Sequence, residues 1–336
     1  MSSAPSSEQI ARDARWLAQA LDPSEGVARL VAMDRESYRQ ASFLDDRLMQ
    51  QAVDAQLVAW PQIEAAMDGD LRSDARWIFH IGHVGSTLVS RLLGELPGVL
   101  ALREPRFLRD LALSPPNVRK RYATPVPTLM SRSFDPEEFA CLKATSFVSE
   151  IAAELVPPGQ RALFMFASPR NYIASILAGE NSVRELHALA PSRAERLQRR
   201  APVFQAPRNE AELAAIAWAC EMTALEAADA AMRDRNIEWA DFDVMLEDMP
   251  SELARVAVFF GAAADPETIR EIAEGPLMKR YSKALEYDYS AQLRRDLINE
   301  TTLHCRPAID GAIDLLGSAA QQSPLLASAI ARAGGI

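Results

Sequence analysis

Gly82, His83, Val84, Gly85, Ser86 and Thr87 lie directly between the apolar run Trp77–Ile81 and a leucine-rich stretch. Two glycines let a backbone come close to a ligand. A helix beginning at Ser86 would aim its first free N–H groups at that ligand, and the helix dipole adds partial positive charge. The chemistry suited to these residue types at this spacing is the holding of a phosphate-like anion. A nucleoside-triphosphate loop of the form GxxxxGK[ST] would place a lysine immediately before Ser86. Gly85 stands there instead, which weighs against an ordinary ATPase or GTPase and leaves a plain strand-to-helix turn as the alternative.

Such a loop works only if a strand delivers it and other strands end beside it. Apolar runs at Trp77–Ile81, Val99–Leu102, FACLK, RALFMF and NIEWAD read as strands, with Arg103, Glu104 and Pro105 closing the second and Lys143 to Ser146 the third. Helical stretches alternate with them. The pattern predicts an α/β chain with a doubly wound parallel sheet, whose ligands gather at the C-terminal strand ends. Ahead of it, Trp16, Leu17, Ala20 and Leu21, and then Leu48, Ala52, Ala55 and Leu57 to Trp60, recur at helical spacing. They predict a helical leader over 1–74, packed on a core of 75–336. Residues 114–127 and 190–207 read as loops, the second as a lid, and the chain from about Ala264 onward reads as a helical C-terminal region.

The chain has 336 residues, about half of them apolar and a quarter charged, which is ordinary globular composition. A net charge of −10 argues against broad nucleic-acid binding while leaving room for a local basic pocket. Cys141, Cys220 and Cys305 are odd in number and far apart, so they suggest neither a disulfide framework nor a zinc ribbon. No stretch approaches the roughly 18 apolar residues of a membrane span or the core of a signal peptide. The expectation is a cytoplasmic protein with no membrane partner and no metal, since no His, Cys, Asp or Glu grouping has ligand spacing. His80 reads as a strand residue, and His187 and His304 as helix-surface residues. Lysine is rare beside arginine, which singles out Lys120, Lys143, Lys279 and Lys283.

The segment HVGSTLVSRLL resembles the phosphosulfate loop of sulfotransferases that use 3′-phosphoadenosine 5′-phosphosulfate. In that family a basic residue, a small residue, Gly, Ser/Thr and Thr precede a leucine-rich helix. Val84 takes the small position, Gly85, Ser86 and Thr87 match, and His83 stands where lysine or arginine is usual. LPGVLALREP is similar to a second segment, in which a glutamate ending the neighbouring strand takes the acceptor's proton; Glu104 falls there. SPRNYIAS resembles R-D-P-R-D-x-x-x-S, which holds the 3′-phosphate. Ser175 and Arg170 match, and Ala167 replaces the first arginine. Lys283, from the C-terminal segment, is the other candidate cation. EWADFDVMLEDMPSELARVAVFFG is similar to the family's strand, acidic pair and helix, with Asp241 and Asp243 read as caps. Some members carry a catalytic histidine after a lysine and threonine at the third strand end; Lys143 and Thr145 are present without it, which favours Glu104 as base.

The resemblance spans roughly residues 76–262. It implies a donor bound over Gly82, His83, Val84, Gly85, Ser86 and Thr87, with Glu104, His83 and Ser86 at the transferring group, and Arg170, Ser175 and Lys283 around the 3′-phosphate. It implies a hydroxyl or amine acceptor, on a small molecule or a peptide. The competing expectations are an ATP-dependent kinase and a degenerate, non-catalytic nucleotide- or partner-binding member.

Overall fold

The structure is a computed structural model and describes residues 5–280 and 290–336. Strands are numbered in chain order: β1 Trp16–Asp22, β2 Val27–Ala32, β3 Ala55–Ala59, β4 Arg76–His80, β5 Val99–Arg103, β6 Phe139–Lys143, β7 Arg161–Phe166 and β8 Asn236–Asp241. The last five form one parallel sheet in the order β5-β6-β4-β7-β8. Helices cover both faces, so the central strands are apolar without a break; Trp77, Ile78 and Phe79 are all fully buried. From β4 the chain winds first to one side and later to the other. This makes the C-terminal end of β4 the point where the winding reverses and a crevice opens. β5 is not beside β4, as the sequence reading had it: β6 lies between them.

The leader is not all helical. β1, β2 and β3 form an antiparallel sheet among the short helices Ser7–Arg12, Arg35–Gln40 and Trp60–Ala66. β1 is buried on both faces with only Asp22 exposed, so no two-residue alternation shows, and Trp16, Leu17, Ala20 and Leu21 imitate a helical stripe. A register shift between Ala18 and Ala20 blurs the period further. Pro23 belongs to a hairpin turn. Asp22 Oδ1 accepts from the N–H groups of Ser24 and Glu25, and Gly26 takes φ 65° to close the turn.

Two segments read as loops are helical. Residues 114–127 hold the helices Pro116–Ala123 and Val126–Met130, and 190–207 lies largely within the helix Glu180–Arg200. Pro191 sits inside that helix, where it forfeits a backbone hydrogen bond. The helix is retained by tertiary contacts: Leu186 and Leu197 are buried, and Arg193 and Arg196 both reach the buried Glu221 of the helix Glu210–Ala231. The C-terminal region is helical as expected, with helices Ala291–His304, Arg306–Ala320 and Pro324–Arg332. Among the described residues no helix is long and apolar enough to cross a membrane.

Candidate active site

β4 ends at His80, whose ring fixes the loop that follows. Its Nδ1 accepts from the Gly82 N–H at 2.9 Å, and its Nε2 lies 2.9 Å from the Ala144 carbonyl. An N–H can only donate and a carbonyl can only accept, so the imidazole carries its proton on Nε2. His80 thus ties the end of β4, the loop and the segment after β6 together, a task that its place in an apolar strand gave no sign of. Gly82 and Gly85 take φ 81° and 58°. At Gly85 a Cβ would lie 1.9 Å from the Phe242 ring, so no larger residue fits. The helix Ser86–Gly94 then begins, with Ser86 and Thr87 buried in its first turn. Val84 turns its side chain into the core and faces the cleft only as part of the loop.

Two non-glycine residues among those described have positive φ, and they are His83 and Glu104, each at 54°. For an L-residue this conformation costs about 1–2 kcal/mol, and such strain concentrates at functional sites. In this chain the two residues face the same cleft, of about 720 Å³, which Gly82, Val84, Gly85, Ser86, Thr87 and Ser175 also line. His83 lies edge-on to Tyr172, and its Nε2 is 3.9 Å from Glu185.

Glu104 leaves β5 with its N–H bonded to the Lys143 carbonyl at 2.8 Å. Its carboxylate pairs with Lys143 Nζ, and its second oxygen accepts from Thr145 Oγ1 at 3.3 Å. Lys143 is 1% exposed at the end of the intervening strand β6, so the strand order that separates Glu104 from the loop also supplies its counter-ion. Neither flanking arginine takes Glu104. Arg103 turns the other way, to the carbonyls of Tyr38 and Ala41, and burial pulls its guanidinium down to about 9. Arg106 pairs with Asp46 and Asp110.

The residues matched to a 3′-phosphate site are not all together. Ser175 lines the cleft and donates from Oγ to the Tyr172 carbonyl at 2.9 Å. Arg170 is not among the cleft residues; it pairs with Asp310 at 2.7 Å and is nearly half exposed. Lys283 lies outside the described residues. Ala167 is fully buried, and its carbonyl accepts from Trp218 Nε1 at 3.0 Å. Cations reach the cleft from elsewhere: Arg47, Lys143, Arg193, Arg280 and Arg294.

Arg294, in the helix Ala291–His304, pairs with Asp243, and its guanidinium lies 5.1 Å from the Phe242 ring centroid. Asp243 is steadied in turn by Asn171 Nδ2 at 2.8 Å. Of the two acidic residues expected to cap, Asp241 does so, accepting from the Asp243 N–H at 2.9 Å, and burial raises its carboxyl above the usual range. Asp243 holds Arg294 instead. No local pattern connects Arg294 to a loop some two hundred residues earlier, whereas Lys143 was marked by the rarity of lysine. Two buried polar atoms in this cleft find no partner among the described residues: Thr87 Oγ1 and Arg294 Nη2. Both are groups that can donate a hydrogen bond. No group of three or more His, Cys, Asp or Glu suited to a metal occurs among the described residues.

No family model and no curated protein matches the chain. Solved structures do. The likeness is to sulfotransferases. A sulfotransferase domain from the curacin biosynthetic pathway is 10% identical over 69% of this chain and 91% of its own, with a TM-score of 0.43. A mouse sulfotransferase complexed with PAP is 11% identical over 79% and 91%, at 0.39. Retinol dehydratase in complex with retinol and PAP is 13% identical over 81% and 90%, at 0.36. At such values the chemistry of this site rests on its own residues.

Proposed function

We propose that the cleft transfers a sulfonate from 3′-phosphoadenosine 5′-phosphosulfate to a hydroxyl or amine of a small-molecule or peptide acceptor. The observation that carries this reading is the convergence of His83 and Glu104, both held in left-handed backbone, on one cleft above the start of a helix. The donor's fit is supported by the orphaned Thr87 hydroxyl, the free N–H groups at Ser86 and Thr87, and the unpartnered Arg294 Nη2. Gly82, His83, Val84, Gly85, Ser86 and Thr87 would hold its phosphosulfate end. Ser175 and Arg294 are the cleft residues suited to a further phosphate, in place of Arg170. Bound there, the donor supplies an activated sulfonate with adenosine bisphosphate as the leaving group.

The chain's own part is positioning and charge. Glu104 accepts the proton that an alcohol loses as its oxygen attacks. Lys143 pairs with that carboxylate and fixes its position beforehand. Once Glu104 takes the proton, Lys143 loses its counter-ion, and its positive charge becomes available to charge developing nearby. His83 and Ser86 flank the same point of the loop.

Replacing Glu104 by Gln tests the role. Turnover of labelled phosphosulfate should fall about 10²–10⁴-fold, while affinity for 3′,5′-adenosine bisphosphate stays unchanged; equal loss of both would make Glu104 structural. The bisphosphate should raise the melting temperature of the wild type. Stabilisation by ATP with Mg²⁺ but not by the bisphosphate would refute the reading in favour of a kinase, and a response to neither would favour a non-catalytic member.

A further inference from the structure

The helix Glu180–Arg200 borders the candidate active site with Asn181, Ser182 and Glu185 and, further along, a second cavity of about 680 Å³. The walls of this second cavity are apolar, built from Leu186, Leu197, Phe204, Leu213 and Ile216. Its mouth is polar: His187 and Glu210 pair there at 3.2 Å, both more than half exposed. A volume of several hundred Å³ with apolar walls and few polar groups is the ordinary form of a small-molecule site.

Arg193 supplies the decisive polar group. It borders both cavities and is 4% exposed. Its Nε donates to Glu221 Oε1 at 3.1 Å, while its two Nη groups make no hydrogen bond among the described residues. Glu221 is shared with Arg196, and Arg196 in turn shares Glu150 with Arg200. Three guanidiniums therefore rest on two carboxylates, leaving one positive charge in excess. Of the other charged groups around this second cavity, Arg208 is paired with Glu212, and Glu210 lies beside His187 at the exposed mouth. A buried guanidinium with both Nη groups open offers a carboxylate a two-pronged contact.

We infer that this second cavity binds a small apolar carboxylate, its hydrocarbon body against Leu186, Leu197, Phe204, Leu213 and Ile216 and its carboxylate on Arg193. The cavity shares Arg193 with the donor cleft but has its own apolar walls, and the inference does not depend on sulfonate transfer.

Calorimetric titration of the full chain with decanoate, decanol and acetate, each below any micelle-forming concentration, tests it. Decanoate should bind at one per chain. Decanol should bind at least about tenfold more weakly for want of the charge, and acetate should not bind detectably for want of the apolar body. Ala190→Trp fills the cavity from a half-buried helical position, and Leu213→Trp fills it from the facing helix. Whichever variant keeps a cooperative melt should lose decanoate binding at least about tenfold. Absent decanoate binding, equal affinity for decanol, or decanoate binding unchanged in the filled variants would each overturn the assignment. Failure of the bisphosphate to bind at all would bear only on the sulfonate-transfer proposal.

Discussion

Replacing His83 once by glycine and once by alanine isolates the backbone strain of the loop from the chemistry of its side chain. Both variants lose the imidazole, its edge contact with Tyr172 and its distant approach to Glu185. They differ only in how an L-residue or a glycine tolerates φ 54°. Alanine retains the left-handed penalty of about 1–2 kcal/mol. Glycine escapes it but forfeits about 0.4–1 kcal/mol through the greater freedom of its unfolded chain. The net expectation is that His83→Gly is more stable than His83→Ala by about 1 kcal/mol, the reverse of the usual order within a helix or strand. Urea unfolding of the two variants under identical conditions, with equal m values, reads the difference directly. The same pair at Glu104 should show the same sign, because both variants there lose the Lys143 partner equally. An alanine variant more stable than the glycine variant at both positions would refute the left-handed geometry and with it the argument that strain marks this site.

Three further outcomes follow from particular contacts. Arg294→Met should weaken 3′,5′-adenosine bisphosphate by about 10–100-fold, the worth of a lost charge-assisted contact, whereas Arg170→Met, at a residue that does not line the cleft and pairs with Asp310, should leave affinity in place; equilibrium binding of the two variants decides it. Burial pushes the Cys141 and Cys220 thiols up to about 12, so native protein should titrate rapidly with a thiol reagent at Cys305 alone and at all three cysteines once unfolded. Burial alone would raise the Glu221 carboxyl, but the Arg196 and Arg193 guanidiniums outweigh it and hold the group below its ordinary value of 4.5. The stability this contributes is complete above 4.5 and is lost as pH falls through the lower folded value. Glu221→Gln should therefore cost about 3–5 kcal/mol at neutral pH by leaving buried Arg193 without its carboxylate and Arg196 with Glu150 alone, and denaturant melts from about pH 5 to about pH 3 should show a shallower acid decline than the wild type.

Much of the fold was legible because the central strands carry their own signal. Trp77–Phe79 and Leu163–Phe166 are apolar without interruption, as strands covered on both faces must be, and each is followed by a polar turn and a helix. The same property hid β1: once both faces are buried, a strand loses its alternation, and its apolar residues fall on a helical stripe by chance. The helix Glu180–Arg200 was hidden for the opposite reason. Its buried side includes Arg193 and Arg196, charges that look like solvent-facing residues until Glu221, on another helix, supplies their partner.

The loop residues could be placed because their requirements are local: glycine where φ is positive, small hydroxyl residues at a helix start. The cations of the cleft could not, since Lys143 and Arg294 arrive by strand order and by the packing of a distant helix. Ala167 shows the consequence. Its carbonyl accepts from Trp218 in the core, so a cation placed there would be buried, whereas Arg294, which Asp243 holds beside the Phe242 ring, lines the cleft. A motif match reads the residue at one position. The electrostatics of the cleft depends on which charges surround it, and this chain assembles them from strand ends and helices that the motif does not include.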